Sequence, residues 1–142
     1  MAKIIILGAG SMGTAFSYPC SDNNHDVTII GTHLEDDFID LINSQKKHPI
    51  LDCGIAKNVK FLKLKNLSEE INKKVDLIVV AVVSKGIEWA SLELCKVLKN
   101  NVPILILTKG LSINNNNYEI LAHKIERILR ENGIKKTNIS AA

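Results

Sequence analysis

Cysteine, histidine, proline and aromatic residues are all sparse in this 142-residue chain, and each scarcity excludes something. Cys20, Cys53 and Cys95 are odd in number, widely spaced and without a Cys-x-x-Cys pair, which argues against a disulfide framework and a zinc site and fits a reducing cytoplasm. His25, His33, His48 and His123 never fall at metal-ligand spacing, and none stands beside a serine or cysteine in a nucleophile motif. Aromatics make up 4% of the residues, so Lys57, Lys60, Lys63 and Lys65 have no interleaved stacking partners. With a net charge of only +3, nucleic acid is not an expected partner. The opening apolar run, Ile4 to Leu7, stops at Gly8, too short for a membrane span or the apolar core of a signal peptide. There is no internal repeat.

What is present is an ordinary globular composition, 46% hydrophobic and 23% charged. A chain of this length can bury roughly two thirds of its unfolded surface, so it needs no covalent staples. Apolar, β-branched runs predict strands at Lys3 to Leu7, Val27 to Ile30, Val59 to Leu62, Asp76 to Val83 and Val102 to Leu107. Leu77 to Val83 shows no polar alternation, the mark of a central strand covered on both faces. Helices are expected at Ser11 to Asp22, with Pro19 bending it, and at Leu34 to Gln45, Ser68 to Lys73, Lys85 to Leu98 and Tyr118 to Asn132, the last closed by Asn132-Gly133. Cys20, Cys95 and Trp89 read as packing residues of these helices.

Strands and helices alternating in this way make an α/β fold, a Rossmann-like doubly wound parallel sheet with helices on both faces. Residues 1–142 read as one dinucleotide-binding domain. Two connections are irregular: Lys46 to Asn58, which holds His48-Pro49, and Leu111 to Asn117, whose asparagine run reads as a polar loop. Asn138 to Ala142 begins like a sixth strand, incomplete, as in a chain cut from a longer protein.

The most specific local signal is Gly8-Ala9-Gly10-Ser11-Met12-Gly13, between the first strand and the first helix. Gly8 permits the tight turn, Gly10 lets a pyrophosphate approach the backbone, and Gly13 lets helix and strand pack closely. The helix N-H groups then face the anion. At the end of the second strand, Ile30-Gly31-Thr32-His33 lacks the carboxylate that would bind an NAD ribose, although Glu35 and Asp36 follow, and no arginine is there for an NADP phosphate. NAD and NADP both stay open. Thr32 is either a cofactor contact or a helix N-cap, and Ser84, after the fourth strand, is a cap, a cofactor contact or both. Lys85 reads as a surface lysine. Lys109, at the end of the fifth strand beside Gly110, could neutralise a phosphate or polarise a substrate carbonyl.

Taken together, the glycine loop with Thr14 and Ala15, His25 to Thr28, His48-Pro49, Asp76 to Val83 and Thr108-Lys109-Gly110-Leu111 resemble the NAD(P)-dependent glycerol-3-phosphate dehydrogenase family. The resemblance spans nearly the whole chain. It implies an N-terminal cofactor domain whose family partner, a helical domain, supplies the catalytic lysine. The implied reaction is reversible reduction of dihydroxyacetone phosphate to sn-glycerol 3-phosphate. It implies cofactor contacts at Ser11, Met12 and Thr32, and at Lys109 a contact to both cofactor and substrate. Ile30, Thr32 and Val83 depart from the tryptophan, arginine or histidine, and proline common there. Alternatives from the glycine loop alone are a non-catalytic NAD-sensing module and a ketopantoate reductase. Loss of a helical domain would expose apolar surface, so a homo-oligomer is expected.

Overall fold

The computed structural model describes residues 1–99, 101–135 and 137–142. In chain order its elements are β1 (Lys3–Leu7), α1 (Ser11–Asp22), β2 (Asp26–Ile30), α2 (Asp36–Gln45), β3 (Lys47–His48), β4 (Cys53–Gly54), β5 (Val59–Leu62) and α3 (Leu67–Asn72). They continue with β6 (Leu77–Val80), α4 (Ile87–Val97), β7 (Ile104–Ile106), β8 (Leu111–Asn114), β9 (Asn117–Ile120), α5 (Leu121–Glu131) and β10 (Ile139–Ala141). Six strands form one sheet in the order β10-β7-β6-β1-β2-β5, every pair parallel. The short sixth strand at the chain's end is there, pairing Ile139, Ser140 and Ala141 with all three residues of β7.

Alternation along the strands feeds two cores. Ile5 and Leu7 join Ile78, Val80, Ile104 and Ile106 under α3, α4 and α5. Ile4 and Ile6 face the other way with Val27, Ile29 and Val79, against α1 and α2. Because both faces are covered, β6 and the Ile4 to Leu7 part of β1 are apolar without alternation, as expected of central parallel strands. No helix among the described residues is long and apolar enough to cross a membrane.

Several boundaries differ from the sequence expectation for identifiable reasons. The strand expected to run to Val83 ends at Val80, because its neighbour β1 ends at Leu7 and the chain turns away at Gly8. Ala81 makes the last bond, its N–H donating to the Leu7 carbonyl at 2.9 Å. Leu111 to Asn117 is not a plain loop. It belongs to the antiparallel hairpin β8–β9, whose two turn residues, Asn115 and Asn116, have φ of 49° and 62°. Two successive left-handed residues are what a tight type I′ hairpin demands, and asparagine tolerates them. Tyr118 is therefore in a strand, and α5 begins only at Leu121. Its end is as expected: Gly133 N–H donates to the Arg130 carbonyl and Ile134 N–H to that of Leu129, closing the last turn. Lys46 to Asn58 likewise holds a small hairpin, β3–β4. Pro19 lies inside α1, which continues to Asp22.

Candidate functional site

Strand order reverses between β1 and β6, so the chains leaving their carboxyl ends diverge and open a crevice. The glycine loop fills the start of it. Gly8 has φ +112°, and a Cβ there would stand 2.8 Å from the Ala81 carbonyl oxygen, so only glycine fits. A Cβ on Gly13 would lie 2.5 Å from the Gly8 oxygen, which fixes α1 tightly against β1. Gly10 is the opposite case: a Cβ there would meet nothing within 4 Å, so its α-carbon borders open space. Gly10 is also the N-cap of α1, and no side chain caps the helix. The N–H groups of Ser11, Met12 and Gly13 therefore lack intrahelical acceptors and form a cluster of donors at the positive end of the helix.

One peptide group of this loop is held from two sides. The Ala9 carbonyl accepts from His48 Nε2 at 3.1 Å, and the Ala9 N–H donates to Glu35 Oε2 at 3.2 Å. His48 is fully buried, and its Nδ1 accepts the Leu51 N–H at 3.1 Å, so the ring carries its proton on Nε2 and donates to Ala9. Glu35 Oε2 also accepts the Thr32 N–H at 2.7 Å. The carboxylate absent from the tip of β2 in sequence is thus returned there by the turn after it.

Two hollows meet at Gly10. The larger, about 430 Å³, is bordered by Gly8, Thr32, Glu35, Lys85 and Trp89. The smaller, about 220 Å³, is bordered by Ser11, Met12, Leu107 and Thr108. Gly10 and residues 81–83 border both, so the two lobes form one groove with the helix N-terminus at its waist. That shape fits an elongated, two-ended ligand with an anionic middle, and the bare α-carbon at Gly10 gives the anion access to the backbone. A separate hollow of about 450 Å³ lies at the amino ends of β6 and β7, between Lys73 and Lys99.

Of the residues expected from sequence, Gly8, Gly10, Ser11, Met12 and Thr32 come together along this groove, and Gly13 packs behind it against Gly8, Ala81 and Ile6. Thr32 is not the cap of α2. Glu35 occupies that position, and Thr32 Oγ1 instead accepts the Leu34 N–H at 3.4 Å. Ser84 makes no capping bond either: it opens the short turn Ser84–Gly86, with residues 81–83 between it and the end of β6, is exposed, and borders neither lobe. Lys109 is exposed just beyond Thr108, with no ion-pair partner among the described residues. Cys20 is buried as expected, and burial pushes its thiol pKa up, away from reactivity.

Three residues were missed as site residues. Trp89 packs on the core as expected but also borders the larger lobe and stacks on His33, ring centroids 4.8 Å apart and tilted by 48°. Glu35 and His48 act on the glycine loop from 26 and 39 positions away. For Glu35 the available signal was an acid four residues past Gly31. For His48 only folding reveals the partner.

Fold and groove together define a dinucleotide-binding domain of the doubly wound class. The family model for the N-terminus of NAD-dependent glycerol-3-phosphate dehydrogenase matches residues 3–140. Glycerol-3-phosphate dehydrogenase [NAD(P)+] of an Exiguobacterium species is 32% identical over 130 residues, 89% of this chain and 37% of that protein. The NADP(+)-dependent glycerol-3-phosphate dehydrogenase of Archaeoglobus fulgidus is 29% identical over 76% of this chain and 31% of its own length. Glycerol-3-phosphate dehydrogenase of Coxiella burnetii has a similar fold, TM-score 0.79 at 17% identity, covering 99% of this chain and 40% of that one. The chain belongs to the NAD-dependent glycerol-3-phosphate dehydrogenase family, as its N-terminal, cofactor-binding domain, and spans well under half the length of these relatives.

Proposed function

We propose that this chain is the cofactor-binding part of a glycerol-3-phosphate dehydrogenase and takes NAD or NADP along the two-lobed groove. The observation that carries the reading is the waist at Gly10, where an open α-carbon adjoins three helix N–H donors between two lobes. Ser11 and Met12 receive the pyrophosphate, and the helix dipole there favours its charge. The lobe beside Thr32 takes the adenosine end, following the rule that the residues after the second strand of such sheets hold that ribose. The lobe beside Thr108 takes the nicotinamide end. Lys109, at its rim, holds an ammonium where it neutralises the substrate phosphate or polarises the reacting carbonyl.

Nicotinamide supplies the hydride: dihydroxyacetone phosphate, NAD(P)H and a proton interconvert with sn-glycerol 3-phosphate and NAD(P)+. This chain's share is binding and orientation. Exclusion of water and transfer of the proton also call on the part of the family's proteins outside the matched region.

Calorimetric titration of the folded chain with NADH and NADPH tests the reading. At least one should bind saturably, and Gly10→Val, which fills the waist, should weaken it at least about a hundredfold while costing only a few degrees of melting temperature for the poorer N-cap. Equal binding by the variant would move the ligand elsewhere.

A further inference from the structure

We propose that Glu35 sets the cofactor preference of this groove, selecting the dinucleotide without a 2′-phosphate. The inference rests on the dinucleotide reading above and deepens it at the adenosine lobe.

The tip of β2, Gly31-Thr32-His33, has no carboxylate of its own. The chain beyond it turns back on itself, the Glu35 N–H donating to the Thr32 carbonyl at 3.1 Å. Gly31 makes room for this return: a Cβ there would stand 2.8 Å from Ile39 Cγ1 and 3.3 Å from the Glu35 Cβ. The Glu35 carboxylate is consequently placed between the ends of β1 and β2. Its Oε2 accepts one N–H from each side, from Ala9 at 3.2 Å and from Thr32 at 2.7 Å. Its Oε1 receives no hydrogen bond from the described residues. The residue is half-buried and borders the larger lobe.

An anchored carboxylate with one spare oxygen is suited to accept hydrogen bonds from the vicinal hydroxyls of a ribose. It is equally suited to repel a 2′-phosphate, and because two backbone donors hold it, swinging aside to avoid one gives up both of those hydrogen bonds. The charges that could compensate are few. Arg127 and Arg130, the chain's two arginines, lie on α5 and are paired with Glu119, Glu131 and Glu126. Lys85 and His33 border the lobe, but both are exposed, and neither makes an ion pair among the described residues. A free lysine must give up side-chain entropy to meet a phosphate, whereas the fixed carboxylate gives up none to oppose it. The preference expected here therefore differs from that in the name of the Archaeoglobus relative, which is called NADP-dependent.

The test is calorimetry at low salt on the full chain and on Glu35→Gln, which keeps an acceptor oxygen for the two N–H groups and removes the charge. Wild type should bind NADH at least about tenfold more tightly than NADPH. Glu35→Gln should tighten NADPH by about ten- to thirtyfold, the Coulomb energy of a carboxylate against a doubly charged phosphate at near contact in water, and change NADH only a few-fold. Added salt should shrink the difference. Should the variant misfold, AMP against adenosine 2′,5′-bisphosphate, which differ only in the 2′-phosphate, carries the same test on the wild-type chain, with AMP expected to bind more tightly. Preference for NADPH, for the 2′-phosphorylated fragment, or a NADH to NADPH ratio unmoved by Glu35→Gln would overturn the role of Glu35. Equal loss of both ligands in a folded variant would also do so, leaving the residue as a loop brace. A folded wild-type chain that binds neither dinucleotide would overturn the broader reading itself.

Discussion

The two small hairpins of this domain are alike in size and opposite in what they do. β3–β4 folds inward: His48 is fully buried against the glycine loop, and its ring meets Phe38 edge-on at 5.3 Å. The Tyr18 hydroxyl reaches the Gly54 carbonyl at 2.6 Å and the Cys53 sulfur at 2.8 Å. β8–β9 stands outward, with Leu111, Ile113, Tyr118 and Ile120 exposed on one face in facing pairs. Its opposite face is held through Glu119, which takes two bonds from Arg127 at 3.0 and 3.1 Å and one from Ser112 at 3.0 Å. A lone two-stranded ribbon is marginal in water, so each borrows stability from the domain. The first borrows it from buried hydrogen bonds that also set the shape of the groove. The second depends on a charged tether near the surface, and none of its residues borders the groove.

The largest effect should come from His48→Ala, which strips the partner from both the Ala9 carbonyl and the Leu51 N–H in a buried place. The cost should be about 2–4 kcal/mol, with a fall in melting temperature on the order of 10 °C in a calorimetric scan and weaker dinucleotide binding in parallel. A shift of only a degree or two would remove the contrast between the hairpins.

Next comes acid. The Arg127 guanidinium holds the Glu119 carboxyl below the usual carboxylate range, with partial burial opposing it and the Ser112 hydroxyl assisting. A pKa lowered on folding stabilises fully above the unfolded value and is lost as pH falls through the folded one. Hydrogen exchange should therefore show β8–β9 losing protection in acid below that range. Glu119→Gln should abolish this pH dependence at a cost of roughly 0.5–1 kcal/mol. Equal acid sensitivity in the variant would assign the loosening to another group.

Smallest of all, Ile113→Thr on the exposed face should change unfolding free energy by less than about 0.5 kcal/mol by denaturant titration. A larger loss would mean that the face is covered in solution.

Much of the architecture was legible because it is written locally. Apolar runs without alternation announced the buried strands, and three glycines at fixed spacing announced the turn into α1. Where elements were misjudged, the deciding partner was distant. The β6 run stops at Val80 because β1 stops pairing, and Asn115-Asn116 turns a ribbon because Leu111 finds Ile120 across it. The site was legible in its glycines and in Thr32, Ser11 and Met12, but Glu35 was visible only as an acid in the wrong place. Trp89 looked like core because one side of it is core.

That indole has a practical consequence. It is the chain's one tryptophan, so it dominates the near-ultraviolet emission, and it sits against an imidazole at the lip of one lobe and away from the other. A ligand that enters the adenosine lobe comes up against the two rings and is expected to change the colour or yield of that emission, while one that does not absorb in the near ultraviolet and stays in the smaller lobe is expected to leave it as it was. The protein thus carries an intrinsic optical gauge that distinguishes which half of its groove is filled.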